Sequence, residues 1–356
     1  MPRRPRPARW SLPGARLPRI PALPWFALPK VRAPRAPAPT GSRARRLPTV
    51  RVPVLPARPR LPAVTAPGGR RAPRTGRWIR SLRSGRAYDV YLPAGVPRRR
   101  RIPMVLLLHG CTQTPSGFAD STRFTTVADR NGFALVVPQQ ERWHQAQRCW
   151  RWYESAHQRR GGGEPALLAT IVREVCAEPR RWNVDPSRVY VAGISAGGAM
   201  ALILAATYPD VFAAAGVHSA PPYRSARGGG GALTAMAGHG RVPDVEGSIA
   251  PVVVVQGASD HVVRPVNGDR VVEQWLDHRA VGPRRTRTDT GRTAGRRYTR
   301  RRWYSGSRRV LEYWKVDGLG HAWSGGRPDA SFSDPAGPRA STIMWQFFRA
   351  HRRAAL

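Results

Sequence analysis

The chain has 356 residues, 41% of them hydrophobic, which suits one large domain or two modest ones with a filled core. It carries 60 Lys and Arg against 21 Asp and Glu, yet no helix-turn-helix, zinc-finger spacing or ribonucleoprotein motif accompanies that charge. No run of 18 apolar residues occurs, so no transmembrane helix is expected, and three cysteines cannot form a disulfide scaffold.

Residues 1–75 hold 18 Lys/Arg, no acidic residue and 18 of the 36 prolines. Prolines at 13, 18, 21, 24 and 29 leave no room for a long helix or strand. Such a segment buries too little apolar surface to offset its ordering entropy, so a disordered basic tail is expected, able to bind polyanions loosely and in a salt-sensitive way. The nearest thing to a signal peptide, Ala22 to Leu28, is interrupted by Pro24.

From Gly76 the pattern becomes one folded domain, 76–356. Residues 77–92 read as antiparallel edge strands, with Tyr88 to Leu92 alternating like a half-buried strand. Pro103 to Leu108 and Phe133 to Val137 are continuous apolar runs, as in strands covered on both faces. Glu164 to Cys176 has helical spacing with Pro165 in its first turn; Cys176 lies on its apolar face as a small buried hydrophobe. Asp185-Pro186 predicts a turn before a strand at Arg188 to Ala192, and Gly198 to Thr207 an Ala-rich helix. Strands follow at Val211 to Val217, Pro251 to Val255 and Val310 to Val316, and a helix at Met344 to Arg352. The Arg- and Thr-rich stretch 284–308 predicts an exposed hairpin or loop with a solvated charged face. Strands alternating with helices make this an α/β protein whose mostly parallel sheet is flanked on both sides.

Gly193-Ile194-Ser195-Ala196-Gly197 falls between a predicted strand and a predicted helix. That is the context of a nucleophile elbow, where small neighbours let a strained serine project from the sheet edge. A hydroxyl needs a base, and the base needs an orienting acid. The strand at 251–255 runs into Gln256-Gly-Ala-Ser-Asp260, which places a carboxylate beyond a strand end; Asp269 is the rival, read as the start of a surface helix. The last strand leads into Gly318-Leu-Gly-His321, the expected base. His261 and His351 are poorer choices, the first too close to Asp260 and the second in an Arg-rich terminus.

The oxyanion of a tetrahedral intermediate needs two donors. The amides of Ala196 and Cys111 are expected to supply them, with Gly110 permitting the sharp turn of the Cys111 loop and His109 holding that loop. Cys111 and Cys149 both fall in loops after strands at the catalytic edge and are expected to form a disulfide; two reduced thiols are the alternative. Trp150, Trp152, Tyr153 and Trp323 adjoin these loops, either lining a substrate pocket or packing beneath it. No metal motif, phosphate-binding glycine loop or other cofactor signature is legible.

Four segments together resemble the polyhydroxybutyrate depolymerase family of esterases, close to acetylxylan and feruloyl esterases: His109-Gly-Cys-Thr-Gln113, Arg148-Cys-Trp-Arg-Trp152, Gly193-Ile-Ser-Ala-Gly-Gly198 and Gly320-His-Ala-Trp-Ser-Gly-Gly326. The resemblance covers about residues 77–350. It implies an α/β-hydrolase fold, Ser195, Asp260 and His321 as the triad, Cys111 in the oxyanion hole, and ester hydrolysis of short-chain hydroxyalkanoate polyesters or acylated polysaccharides. It also implies an extracellular location; with no signal peptide legible, a cytoplasmic one is the alternative. A non-catalytic binding protein with a polyanion-binding tail is the reading from another class.

Overall fold

The computed structural model describes residues 75–83, 85–96, 100–278 and 285–353. Apart from Thr75, the expected tail lies outside the described residues. The expected strands assemble into one ten-stranded sheet. Its centre is six parallel strands, in spatial order β4 (Ala134–Pro138), β3 (Ile102–Leu108), β5 (Val184–Ile194), β6 (Ala214–His218), β7 (Val252–Gly257) and β10 (Arg308–Val316). Antiparallel hairpins extend both sides: β2 (Arg86–Leu92) and β1 (Arg77–Arg83) beyond β4, and β9 (Arg296–Ser305) and β8 (Arg285–Thr293) beyond β10.

The continuous apolar runs are explained by two-sided burial. In β3, Met104, Leu106 and Leu108 enter one core while Val105 and Leu107 enter the other, because successive side chains leave a strand on opposite faces. The first core is filled by α3 (Gly163–Ala177), α4 (Ala196–Thr207), α5 (Gly228–Met236) and α6 (Val266–Asp277). The second takes α1 (Pro115–Ser121), α2 (Phe124–Asn131) and α7 (Ala340–Phe348). A short parallel pair, β11 (Trp323–Ser324) with β12 (Ser333–Asp334), stands apart from the main sheet.

Several boundaries differ from the sequence reading. Asp185-Pro186 does not precede β5 but sits inside it as a bulge, since Ile102 pairs with Val184 and Met104 already with Val189. Asp185 stabilises the bulge by accepting from the Ser187 amide (3.0 Å), the Ser187 hydroxyl (2.6 Å) and Arg188 Nε (2.6 Å). Val211 and Phe212 belong to a turn closed onto Tyr208, so β6 begins only at Ala214. The last helix starts four residues earlier than the Met344 expected, at Ala340. Within the Arg- and Thr-rich stretch, residues 285–305 form the β8–β9 hairpin, with most of β8 exposed. Helix α5 opens on four glycines that disfavour helix intrinsically; packing of Ala232 and Ala235 holds it.

Candidate active site

Ser195 lies between β5 and α4, as the N-cap of the helix, with φ 55° and ψ −122°, a conformation costing about 1–3 kcal/mol that persists only where the surroundings impose it. They do so through the glycines. A Cβ at Gly193 would strike the Gly197 backbone, and one at Gly197 would strike the carbonyls of Leu108 and His109. The elbow therefore packs directly against the end of β3, the strand that delivers the Cys111 loop. The Ser195 amide donates to the His218 carbonyl at 3.0 Å, tying the elbow to β6 as well.

Asp260 follows β7 and His321 follows β10, and these two strands are parallel neighbours. His321 Nδ1 lies 2.8 Å from Asp260 Oδ2. The other carboxylate oxygen, Oδ1, accepts from the amides of Val262 and Val263, both at 2.9 Å. Burial of Asp260 works to raise its pKa, but His321 and the two amides outweigh that, and the carboxyl stays below its ordinary range. With Asp260 ionised and accepting at Nδ1, His321 is left with Nε2 free to act as a base. The rival Asp269 lies in the first turn of α6 and pairs with Lys315 (3.1 Å) and Arg301 (3.5 Å), not with a histidine. Ser195, Asp260 and His321 thus stand at the C-terminal ends of β5, β7 and β10, one edge of the parallel core.

In the loop after β3, three of four successive amides have acceptors. Gly110 N–H donates to Gln113 Oε1 (2.8 Å), Thr112 N–H to the Gln147 carbonyl (2.6 Å) and Gln113 N–H to the Gly110 carbonyl (3.4 Å). Only Cys111 among these four has an amide without an acceptor among the described residues. Ala196, first residue of α4, is likewise without an intrahelical acceptor for its amide. The sharp turn is not made at Gly110, as expected, but at Thr112, with φ 66°; Gly110 is needed because a Cβ would crowd Gln113 and Ile194.

Cys111 and Cys149 are joined by a disulfide, their Cα atoms 4.3 Å apart. Two further contacts on consecutive residues fix the Cys149 side of this link. The Trp150 indole donates to the His109 carbonyl (3.0 Å), and the Arg151 amide to buried Glu164 (2.7 Å). Gln140 donates to both the Cys149 carbonyl and Glu164. Burial works to raise the Glu164 pKa, but His157, the Arg151 amide and Gln140 lower it further. Gln140 and Glu164 were not legible as site residues: the one follows a strand and the other reads as helix first turn.

His109 is fully buried, and burial pushes its pKa down to about 4. Its Nε2 accepts from the Gln140 amide (3.1 Å), so the neutral ring carries its proton on Nδ1, toward the Gly110 carbonyl (2.8 Å). It holds the loop and has no exposed nitrogen for chemistry. The aromatic expectation needs correction. Trp150 and Trp323 are fully buried and Trp152 nearly so, which removes them as pocket walls. Trp323 packs edge-on to Phe118 and donates to Ser341 Oγ (3.1 Å). Tyr153 alone is half-buried. Cys176 is a free, half-buried thiol whose pKa burial raises to about 11, so it is inert.

A family model described as esterase PHB depolymerase matches residues 86–295. The chain belongs to that family. It is 33% identical over 204 residues to a poly(3-hydroxyalkanoate) depolymerase C of Paucimonas lemoignei, covering 54% of this chain and 48% of the relative. It is 26% identical over 251 residues to a feruloyl esterase B of Talaromyces stipitatus, covering 65% and 67%. The chain thus spans about half the length of the depolymerase it matches. Its fold superposes on an acetyl xylan esterase from Aspergillus awamori with a TM-score of 0.60 at 20% identity, over 77% of this chain and 100% of the other. That likeness shows the α/β-hydrolase fold.

Proposed function

We propose that this protein is a serine esterase that cleaves carboxylic esters through an acyl-enzyme, with hydroxyalkanoate polyesters or their oligomers as substrate. The observation that carries the reading is the His321–Asp260 bond at the same sheet edge as the strained Ser195. Ser195 Oγ attacks the ester carbonyl while His321 Nε2 takes its proton. The amides of Cys111 and Ala196 hold the oxyanion, the negative charge developing at the N-terminus of α4. His321 then protonates the departing alcohol, and water repeats the sequence to release the acid. Asp260 keeps the imidazole proton on Nδ1 and stabilises the charged ring.

The exposed apolar side chains support the polyester over the polysaccharide. Six large ones are exposed among the described residues. Trp143 follows β4, and Val262 and Val266 follow β7, in segments leaving the catalytic edge; Phe332 lies between β11 and β12, its carbonyl accepting the amide of Trp323, two residues beyond His321, at 2.8 Å, whereas Trp78 and Leu82 are on β1. Apolar groups flanking a site suit an aliphatic chain better than a hydrated sugar. Purified protein assayed on hydroxybutyrate oligomers, acetylated xylan and p-nitrophenyl butyrate tests this. Turnover of all but the xylan is expected. Preference for acetylated xylan overturns the substrate, and absence of all hydrolysis overturns the enzyme. Trp143→Ala should slow attack on a polyester film several-fold and leave soluble-ester kcat/KM unchanged.

A further inference from the structure

The triad is drawn from three loops, and only two of them are joined by a direct bond between triad side chains. The acid and base loops are tied twice, through the His321–Asp260 bond and the Ser259 amide on the Leu319 carbonyl (3.0 Å). What ties the base loop to the nucleophile is a residue outside the triad. His218 ends β6, the strand between the Ser195 strand and the Asp260 strand, and registers with Ile194 on one side and Val255 on the other. Its carbonyl accepts the Ser195 amide at 3.0 Å. Its ring Nε2 accepts the amide of Ser324, three residues beyond His321, at 3.1 Å. The ring also stacks on Trp323, with centroids 5.1 Å apart and planes inclined by 27°.

We infer that His218 is a positioning residue for the reaction: one residue holds the nucleophile elbow by its backbone and the base-bearing loop by its ring, and so sets the spacing between Ser195 and His321. This rests on the reading of Ser195 and His321 as nucleophile and base. The ring can do this only while neutral. An imidazole accepting at Nε2 carries its proton on Nδ1, which faces Ser219 Oγ at 3.0 Å. The side chain is fully buried. Burial first, then the nearby His321, push its pKa down to about 3 against the opposing pull of Asp260. It therefore stays uncharged through the working range of an esterase and gives the base loop a fixed anchor.

Ring and acceptor separate by substitution. His218→Phe keeps an aromatic on Trp323 and deletes the acceptor; His218→Gln reaches the same position with a carbonyl oxygen. The experiment measures Ser195 labelling by a fluorophosphonate and steady-state hydrolysis of p-nitrophenyl butyrate, with thermal unfolding of each variant. Labelling of wild type at Ser195 tests the nucleophile separately from His218. His218→Phe is expected to label and turn over about 100-fold more slowly, the scale of a misplacement near 1 Å, with KM unchanged. His218→Gln should recover to within about fivefold, an expectation on the same geometric ground. Because a neutral ring contributes no charge, the acid limb of the kcat/KM profile should stay in place while its plateau falls. Wild-type kinetics in folded His218→Phe overturn the inference, as does a displaced acid limb, which would make the role electrostatic. Loss of the fold in both variants would make His218 a packing residue only and overturns it equally.

Discussion

The C-terminal edge of the parallel strands and the β8–β9 hairpin belong to one sheet and treat charge in opposite ways. At the catalytic edge two carboxylates are buried and held: Asp260 takes two amides and His321, and Glu164 takes the Arg151 amide and Gln140. In the hairpin charges are many and exposed. Arg292 faces Arg297 across the pair and Arg287 faces Arg302, arrangements that repel. Asp289 pairs with Arg302, while buried Glu312 of β10 takes Arg300 at 2.8 Å and Arg309 at 2.7 Å. Solvent screens the hairpin's repulsion, and charge on an edge strand discourages pairing with other chains. The comparison teaches that the number of charges says little here; burial decides what each one does.

The largest effects are expected at the catalytic edge. Ser195→Ala and His321→Ala should each lower kcat on a soluble ester by at least about 10⁴, without adding to each other when combined. Asp260→Asn should lose about 10²–10⁴, and Asp269→Asn should be indistinguishable from wild type in the same assay. Damage at Asp269 instead would move the acid to α6 and break the comparison.

Next comes the Cys111–Cys149 link. Replacing both cysteines by serine should lower unfolding free energy in urea by about 2–4 kcal/mol. It should also reduce kcat, because the Cys111 amide is the proposed oxyanion donor on that loop. Full activity in the double serine variant would show that Trp150 and Glu164 suffice to hold the loop.

Acid should strike the buried edge before it strikes the hairpin. His109 and His218 are neutral when folded, at pKa values of about 4 and 3, but titrate near 6.5 when unfolded. The unfolded chain then binds more protons below 6.5, so stability falls with falling pH. Their contribution is whole above pH 6.5 and is lost toward pH 3–4, at about 1.4 kcal/mol per pH unit for each. Thermal unfolding between pH 7 and 4.5 should show this slope, and a flat profile there would contradict it. The smallest effects belong to the hairpin. Arg287→Gln and Arg292→Gln should change stability by less than about 0.5 kcal/mol and leave kcat alone; larger losses would mean that these charges are structural.

Most strands, and the three residues proposed as a triad, have strong local signatures in the sequence. An uninterrupted run such as Val252–Val255 marks a strand buried on two faces, and Gly193-Ile-Ser-Ala-Gly197 marks an elbow once strand and helix flank it. The misread boundaries lie where a side chain or a distant contact overrides local preference. Asp185 folds a bulge into β5, Thr112 takes the left-handed turn beside Gly110, and four glycines become helix because Ala232 and Ala235 are buried.

What the sequence by itself determined was the chemistry available: a hydroxyl in an elbow, a carboxylate and an imidazole beyond later strands, and two cysteines in facing loops. Tertiary structure alone decided which of these groups meet and which others hold them. It set Asp260 rather than Asp269 against His321, packed Trp150 and Trp323 into the core, and made His109, Gln140, Glu164 and His218 supports of the site. The reason is physical. A residue's chemical type is local, whereas its burial, protonation state and partners depend on strands far apart in sequence that meet only when the sheet is assembled.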